Sequence, residues 1–529
     1  MRHLSFFIAF FILTSIESQT LKPDSTYALT GKLNIENKIE IIISIGIDSD
    51  GDIYYLGGGY DFSSDTLSTF LSMFKSQPDG KIFTDFGDNG YNNYQIKGWQ
   101  FYSVSLKIQK DGKILILGNG TLESENKIVV IRYNQDGSFD KSFGENGILL
   151  RSLSNYYYST DMHEVADGKL VIVGSKNISD DKYNLSLLRL NADGSTDNSY
   201  GNNGEATIEY VDPAYAIEEY TSVLQSDNKI VIGGYLNVED EFEKPFITRI
   251  MSDGSLDTEF GIEGFFVLSD TEGKEFNHVS LQSDGKILFA GTHYIETMDD
   301  YKSILLAGRL NVDGSLDNSF GDSGYLKIDP IEHQFLVGYS IKEYVGNRIM
   351  IAGSSYEIQE QEQNADIFIM ELDENGNMNT SFGNGGIFTD DFEGNFDNLY
   401  GMTFDEEERI LVYGESLNFN TDSKALMARY IPDLKLGKID FENLNAAVFT
   451  YPNPVISDCT LEFELLNDES ISLDILSSNG TLVKKVIINE KRSSGVNTQL
   501  IPVEGLNSGM YILALRSGDK VINTKIIKQ

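Results

Sequence analysis

Six near-copies of one short motif recur along this chain at almost constant intervals. The copy at residues 313–324 reads DGSLDNSFGDSG, and in every copy a glycine follows a phenylalanine or a tyrosine. These glycines lie 57, 57, 60, 60 and 62 residues apart, at Gly87, Gly144, Gly201, Gly261, Gly321 and Gly383. A period near 60 residues is the length of one small sheet, so the repeats constrain the fold more than the chain length does.

A second signature accompanies each repeat and predicts a hairpin. It reads KDGKILILG at residues 110–118 and SDGKILFAG at 283–291. Asp-Gly favours a tight turn, and the apolar residues after it favour a strand. A third strand such as residues 126–134 and a fourth such as 324–329 complete a four-stranded meander. The second and third strands are almost continuously apolar, as in sheets covered on both faces, and this pattern predicts a β-propeller.

Counting the signatures predicts how the ring closes. The DGK-type hairpin occurs seven times, but the FGxxG turn follows only six of them and is missing after residues 425–435. Residues 24–35 supply the missing part, since Asp24 aligns with Asp197 and Tyr27 with Tyr200. We therefore predict an all-β fold: a seven-bladed propeller of four-stranded blades closed by the N-terminal strand, which leaves no open sheet edge.

The repeated motif itself is interpreted as a structural turn between the third and fourth strands. Asp317 is expected to cap the turn, and Phe320 is expected to anchor it in the neighbouring blade. The substitutions Phe83 and Asn379 at the position of Asp317 fit a structural role better than a binding role.

The repeats resemble the delta-60 repeat family over about residues 24–435. Segments 308–324, GRLNVDGSLDNSFGDSG, and 188–204, LRLNADGSTDNSYGNNG, carry that resemblance. It implies a secreted, propeller-like repeat array and no particular biochemical activity.

The first twenty residues have the layout of a secretory signal peptide. Arg2 precedes an apolar run from Leu4 to Leu13, and small residues follow near Ser18. The run is too short to span a bilayer, and no later segment predicts a transmembrane helix. The single cysteine, Cys459, cannot form an internal disulfide.

The negative charge of the chain lies almost entirely on the repeats. Residues 19–446 hold 32 basic and 71 acidic residues, a net charge of −39, whereas residues 447–529 hold 8 and 9. Such a body is repelled by phosphate backbones and anionic lipids, so we expect neither a nucleic acid nor a membrane partner. Solubility explains the excess, and attraction of cations or of a basic partner is the open alternative.

The C-terminal segment predicts a small Ig-like β-sandwich and resembles the sorting domain of type IX secretion. The residues that carry this resemblance are Tyr451, Pro452, Asn453, Pro454, Gly480, Gly509, Tyr511, Lys525 and Lys528. It implies export across the outer membrane by the type IX machinery, then secretion or attachment to the cell surface. The predicted organisation is a signal peptide at 1–18, a propeller at 19–435, a linker at 436–446 and a sorting domain at 447–529.

Candidate binding residues lie on the loop-bearing face opposite the repeated turns, because function tends to reside on variable loops of a rigid scaffold. Aromatic residues precede each hairpin, and acidic residues fill the loops between second and third strands. Packing between blades is the alternative role for the aromatic residues. The candidates are Trp99, Tyr157, Tyr215, Phe276, Phe335, Phe396, Glu239, Asp240, Asp299, Asp300, Glu360 and Glu362.

Catalysis has less support. The sequence lacks a GxSxG nucleophile elbow and an HExxH metal helix, and His163, His278, His293 and His333 are interpreted as isolated surface or packing residues. The DSDGD run at 48–52 lacks EF-hand spacing and is interpreted as a turn. We predict no metal site and no cofactor, with calcium left open.

These features favour an exported binding or adhesion module whose partner is a polysaccharide or a surface or matrix protein. A carbohydrate-active enzyme, either a glycoside hydrolase or a lyase on the acidic face, is one alternative. A structural surface or matrix component is the other.

Overall fold

The computed structural model divides the chain into two compact units, Met1–Asp433 and Leu434–Gln529. Each unit is described by itself. The described residues are 20–35, 39–61, 68–95, 100–122, 125–152, 157–179, 182–212, 215–237, 243–268, 274–296, 301–328, 334–359, 362–392, 396–418, 423–433, 449–465, 468–477, 482–517 and 520–529.

The first unit is built from antiparallel strands with two single-turn 3-10 helices, η1 (Ala166–Gly168) and η2 (Val345–Asn347). The strands are β1 (Thr20–Pro23); β2 (Ile41–Ile47), β3 (Ile53–Asp61), β4 (Ser68–Ser76), β5 (Tyr91–Tyr94); β6 (Gln100–Ile108), β7 (Ile114–Leu122), β8 (Glu125–Tyr133), β9 (Ile148–Ser152); β10 (Tyr157–Glu164), β11 (Leu170–Ser179), β12 (Lys182–Leu190), β13 (Glu205–Ile208); β14 (Ala216–Leu224), β15 (Ile230–Asn237), β16 (Lys244–Ile250), β17 (Phe265–Val267); β18 (Lys274–Leu281), β19 (Ile287–Glu296), β20 (Tyr301–Leu310), β21 (Tyr325–Ile328); β22 (Gln334–Tyr344), β23 (Arg348–Gln359), β24 (Glu362–Leu372), β25 (Ile387–Asp390); β26 (Phe396–Phe404), β27 (Ile410–Leu417), β28 (Lys424–Asp433).

These strands form five four-stranded meanders and one eight-stranded sheet. The larger sheet contains β22–β25 and β26–β28 with β1, and a single parallel pair, Ala365 with Phe396, links its two halves. The prediction of an all-β propeller of four-stranded blades is therefore confirmed. We call each set of four consecutive strands from β2 onward a group, and β26–β28 with β1 form the seventh. The first strands of successive groups pack against one another in chain order from β2 to β26, and β26 contacts β2.

The N-terminal strand completes the last group, as predicted. Strand β1 pairs antiparallel with β28, from Thr20 opposite Asp433 to Pro23 opposite Tyr430. After the turn, Leu33 N donates to Met427 O at 3.0 Å, so the chain returns along the same strand. The start and the end of the first unit therefore share one sheet.

Apolar side chains from neighbouring groups form the cores between them. In one such core Val231 of β15 and Ile247 of β16 pack with Phe276 of β18 and Phe289 of β19, all fully buried or nearly so. This packing explains why second and third strands are apolar on both faces.

Each first strand carries a β-bulge next to a glycine of the second strand. In the fifth group the register shifts between Phe276 and His278. A Cβ atom on Gly291 would lie 1.8 Å from the carbonyl oxygen of Glu275, so only glycine permits this approach. The last glycine of the DGK signature is therefore required by the bulge.

The repeated turn has the structural role that the sequence predicts. Asp317 Oδ1 accepts hydrogen bonds from Ser319 N at 3.1 Å and Ser319 Oγ at 2.6 Å. Its other oxygen, Oδ2, accepts from Arg309 Nε at 2.7 Å and from Lys286 Nζ at 2.9 Å. The lysine of the DGK hairpin and the aspartate of the turn therefore meet on one face.

In five of the repeats the arginine at this position also links the turn to the next one. Arg309 Nη1 donates to Glu374 O at 2.7 Å, and its guanidinium lies 4.8 Å from the centre of the Phe320 ring. Gly321 N donates to Asn375 O at 2.7 Å, and Phe320 packs against Gly376 in the neighbouring turn. The equivalent arginine–aspartate pairs are Arg132–Asp140, Arg189–Asp197, Arg249–Asp257 and Arg429–Asp24.

The second unit is a sandwich of two sheets, ordered β29-β30-β33 and β32-β31-β34-β35. Its strands are β29 (Phe449–Tyr451), β30 (Asp458–Leu465), β31 (Glu469–Ser477), β32 (Leu482–Arg492), β33 (Gly495–Pro502), β34 (Gly509–Ser517) and β35 (Lys520–Lys528). Leu461 and Phe463 of one sheet share a core with Leu473 and Leu513 of the other, and Cys459 is buried there as a free thiol.

In the part of the chain that the structure describes, no helix is long and apolar enough to cross a membrane.

Candidate functional site at the centre of the first strands

Polar side chains from three successive first strands converge where those strands pack together. The bulge places Ser105 of β6, Asp161 of β10, Thr221 of β14 and His278 of β18 at equivalent positions, directly after the register shift. The equivalent residue of β26 is Gly401. A charged residue directly after the register shift is therefore a feature of particular groups and not of the repeat.

Asp161 is the acceptor at the centre of this inner cluster, which we define as Ser105, Lys107, Asp161, His163 and Ser222. Its Oδ1 lies 3.0 Å from Lys107 Nζ and accepts from Ser105 Oγ at 2.9 Å. Its Oδ2 accepts from Ser222 Oγ at 3.1 Å and lies 3.4 Å from His163 Nε2. Three groups of strands therefore contribute to one hydrogen-bonded set.

His163 contacts the hydroxyl and the carboxylate through the same ring nitrogen. Its Nε2 lies 2.7 Å from Ser222 Oγ. When Ser222 donates its proton to Asp161, Nε2 carries the imidazole proton and donates to Ser222. A Ser-His-Asp relay uses the two ring nitrogens for different partners, so this arrangement is not such a relay.

Burial sets the charges in the cluster. Burial would raise the pKa of Asp161, but the positive charge of Lys107 and the neighbouring His163 lower it to about 2. Burial lowers the pKa of His163 to about 4, since the nearby carboxylate offsets only part of the desolvation. At neutral pH the carboxylate of Asp161 is therefore ionised and the imidazole of His163 is neutral.

The electrostatic environment extends to strands across the centre. Burial, followed by the charge of Lys342, lowers the pKa of His278 to about 3. Burial and the charge of Lys107 lower the pKa of Lys342 to about 8. Burial raises the pKa of Tyr413 to about 12, and the charge of Asp161 adds to that effect. Titratable groups with shifted pKa values thus gather at the centre, as is common in functional sites.

A separate cavity of 240 Å³ lies among turns of the third and fourth groups, lined by residues that include Lys169, Arg189 and Tyr200. Both cations there pair with Asp197 at 2.8 Å. Because those groups maintain the repeated turn, the inner cluster is the stronger candidate.

The predicted loop-face residues are only partly described. Trp99, Glu239, Asp240, Asp299, Asp300 and Glu360 lie outside the described residues. Tyr157 begins β10 and Glu362 begins β24.

The other predicted aromatic residues have different surroundings. Phe276 has no exposed surface and its ring lies 4.6 Å from that of Phe289, so its predicted role in a surface platform is wrong. Tyr215 is half-buried and its ring lies 5.7 Å from Tyr210. Phe335 is half-buried, and so is Phe396, whose ring lies 5.3 Å from Tyr356. The structure does not bring these residues together in one cluster.

The sequence interpretation missed the inner cluster. His163 was expected to be isolated, and that expectation is wrong, because it contacts Asp161 and Ser222. His333 lies outside the described residues. The available signal was the alignment of first strands, in which Lys107 and His163 both lie three residues after the extra residue of the bulge.

In the second unit the predicted sorting motif is organised by Asn453. Its Nδ2 donates to Lys525 O at 2.7 Å, and its Oδ1 accepts from Ile527 N at 2.9 Å. Tyr451 donates its hydroxyl to Glu462 at 2.9 Å. The YPNP segment is thereby attached to the last strand of the chain.

Four further motif residues lie in the last two strands of the four-stranded sheet, β34 and β35. Gly509 and Tyr511 belong to β34, and Tyr511 donates its hydroxyl to Asn507 O at 3.0 Å. Lys525 and Lys528 belong to β35, Pro452 and Pro454 flank Asn453, and Gly480 lies outside the described residues.

Comparison with known families agrees with both units. Residues 450–529 match the secretion system C-terminal sorting domain. Residues 109–143, 166–200, 225–260 and 282–320 match the domain of unknown function (DUF5122) beta-propeller. The chain is thus a secreted β-propeller protein. More particularly, it carries a type IX sorting tail, which directs it to the cell surface or the extracellular space.

No curated protein matches the sequence. Among solved structures, an α-L-arabinofuranosidase from Fusarium graminearum in complex with an iminosugar inhibitor is similar, with 10% identity, a TM-score of 0.34, and 78% of this chain and 97% of that chain covered. An α-L-arabinanase from Penicillium chrysogenum complexed with arabinobiose has 10% identity, a TM-score of 0.38 and the same coverage. A polysaccharide lyase, an ulvan lyase, has 12% identity, a TM-score of 0.43, and 75% and 95% coverage. Sequence identities and TM-scores this low carry no argument about activity.

Proposed function

We propose that this protein acts outside the cell as a binding module and that its inner cluster contributes to recognition of a polysaccharide. In this proposal the ring has seven blades, the signal peptide spans 1–18, the propeller 19–435, the linker 436–446 and the sorting domain 447–529. The half-buried Tyr215, Phe335 and Phe396 are further candidate contacts at the loop ends.

One observation carries the proposal. Lys107, Asp161, His163 and Ser222 come from three different groups of strands, yet they form one hydrogen-bonded set. The position equivalent to Asp161 holds Ser44, Thr221 and Gly401 in three other groups that form the same bulge, so the fold does not require a carboxylate there. Ammonium, hydroxyl and carboxylate groups together suit a ligand rich in hydroxyl groups.

The test is retention of the purified exported chain on insoluble polysaccharides and on matrix proteins, with and without calcium. We expect selective retention on one glycan, and at least tenfold weaker retention of Asp161→Asn. Asp85→Asn removes an exposed charge from a turn and should bind as the wild type does. Retention that is unchanged in Asp161→Asn would reject the inner cluster as the binding site. Selective retention on a matrix protein would replace the glycan as ligand, and no retention would favour a structural role.

A carbohydrate-active enzyme is the second candidate, and the gathering of an ionised Asp161 and the Lys342 ammonium at the centre favours it. An ammonium with a pKa of about 8, such as Lys342, can donate a proton at neutral pH, and an ionised carboxylate can stabilise a developing positive charge. Release of soluble sugar from the retained glycan by the wild type, but not by Lys342→Met, would establish this function.

A further inference from the structure

Three aspartates meet at the junction between the last two groups of strands of the first unit. Ala365 of β24 pairs in parallel with Phe396 of β26, so their neighbours Asp366 and Asp397 lie side by side. Asp391 follows directly after β25. One carboxylate oxygen from each of these three residues lies within 4.8 Å of the other two.

Asp397 is an unusual member of this set, because its carboxylate is fully buried but incompletely satisfied. The side chain has no exposed surface. Its Oδ2 accepts a hydrogen bond from Phe392 N at 2.7 Å. Its Oδ1 has no hydrogen-bond partner in the part of the chain that the structure describes. A buried carboxylate oxygen without a donor is costly and indicates an absent positive partner.

The surrounding charges increase this cost. The carboxylates of Asp366 and Asp391 place two further negative groups beside the buried Asp397 side chain. The ammonium group of Lys32 has other partners: its Nζ lies 3.0 Å from Asp390 Oδ2 and donates to the backbone carbonyl of Asp391 at 2.9 Å.

We propose that Asp366, Asp391 and Asp397 bind one calcium ion, with water completing its coordination. The site does not depend on the inner cluster or on the proposed binding function. It would connect β24 and β26 with residues 391–392, where the two halves of the eight-stranded sheet share one residue pair among the described residues.

Calcium suits the three carboxylates better than other common cations do. All the ligand atoms are carboxylate oxygens, which favours calcium or magnesium over zinc. Two oxygens on opposite sides of a calcium ion are about 5 Å apart, compared with about 4 Å for magnesium. The separations here do not exceed 4.8 Å, which is compatible with calcium, and calcium tolerates irregular ligand geometry that magnesium does not.

The test uses the purified exported chain, calcium chloride and magnesium chloride, with titration calorimetry and thermal unfolding as readouts. Wild-type protein freed of metal by EDTA should bind calcium with a dissociation constant at or below about 1 mM, as extracellular modules do. Its Tm should rise by about 2–5 °C at saturating calcium, because calcium binds the folded state. Magnesium should bind more weakly.

The variants separate calcium binding from folding. In Asp397→Asn and Asp366→Asn we expect at least tenfold weaker calcium binding and no calcium-dependent rise in Tm. In EDTA, Asp397→Asn should be as stable as the wild type or more stable, because the substitution removes a buried charge beside two others. Asp85→Asn is the matched control for loss of one exposed carboxylate and should bind calcium normally. Unchanged binding in both site variants, or no binding by the wild type up to about 10 mM calcium, would overturn the proposal.

Discussion

Arg429 and Asp24 form a buried ion pair that joins the two ends of the propeller sequence. Asp24 Oδ2 lies 2.8 Å from both Arg429 Nε and Arg429 Nη2, and the arginine side chain is 1% exposed. Arg429 also donates to Pro78 O and lies 4.7 Å from the centre of the Tyr27 ring. The last group of strands is thereby attached both to the start of the chain and to the first repeat.

Removal of one partner from this pair should strongly destabilise the first unit. Arg429→Met leaves the Asp24 carboxylate buried without its cation, and such a change costs about 3–5 kcal/mol. The free energy of unfolding in urea measures the effect. Glu125→Gln is the control, because the Glu125 carboxylate lies 3.0 Å from Lys127 Nζ but is 62% exposed. We expect this substitution to cost less than about 1 kcal/mol. Equal costs for both variants would contradict this role of the closing pair.

The aspartates of the repeated turn should make the protein sensitive to strong acid. Burial would raise the pKa of Asp140, but hydrogen bonds from Ser142 and the charge of Arg132 lower it to about 2. Because the pKa is lower in the folded state, the contribution is complete above about pH 4 and is lost as the pH falls to about 2. The stability difference between wild type and Asp140→Asn, measured by urea unfolding, should therefore shrink over this range. A difference that is constant from pH 4 to pH 2 would refute the prediction.

His163 should stay neutral down to about pH 4, because burial lowers its pKa to about 4. NMR titration of the imidazole C–H signals measures this value directly. Lys107→Met removes a nearby positive charge and should raise the pKa, whereas Asp161→Asn removes a negative charge and should lower it further. A wild-type pKa near the ordinary value of about 6.5 would show that the cluster is open to bulk water.

Asn453 should be required for a stable sorting domain. Asn453→Ala removes two hydrogen bonds to β35, and because both are exposed to water we expect a cost of about 0.5–1.5 kcal/mol for each. We expect less protein in the medium or on the cell surface and more retained in the periplasm, as measured by fractionation and immunoblotting. Asn507→Ala is a suitable control, since its backbone carbonyl accepts the Tyr511 hydroxyl and survives the substitution. Equal export of both variants would exclude this role.

The repeated parts of the fold could be predicted because each constraint recurs several times. Asp317 and Phe320 were assigned to a structural turn, and their contacts confirm it. The closing segment was expected at residues 24–35, and it does return along β28. The structure adds pairing of residues 20–22, which extends the single bridge that the other repeats make at the position of Pro23, such as Tyr133 with Phe139.

The inner cluster could not be predicted from alternation along the strands. A bulge in each first strand inserts one extra residue into the register, such as Thr160 between Ser159 and Asp161, and thus changes which side chains face the neighbouring strands. The junction aspartates were missed for a similar reason, because Asp366 and Asp397 become neighbours only through the single pair between β24 and β26.

Closure by the N-terminal strand also has a consequence for the order in which the molecule can fold. Asp24 must find a partner that lies 405 residues later in the chain, so the last step cannot begin until Arg429 is available. A contact of such long sequence range forms slowly, and until it forms both end strands remain unpaired edges. Exported chains should therefore pass through an open intermediate, and protease cleavage near either end should distinguish it from the closed ring.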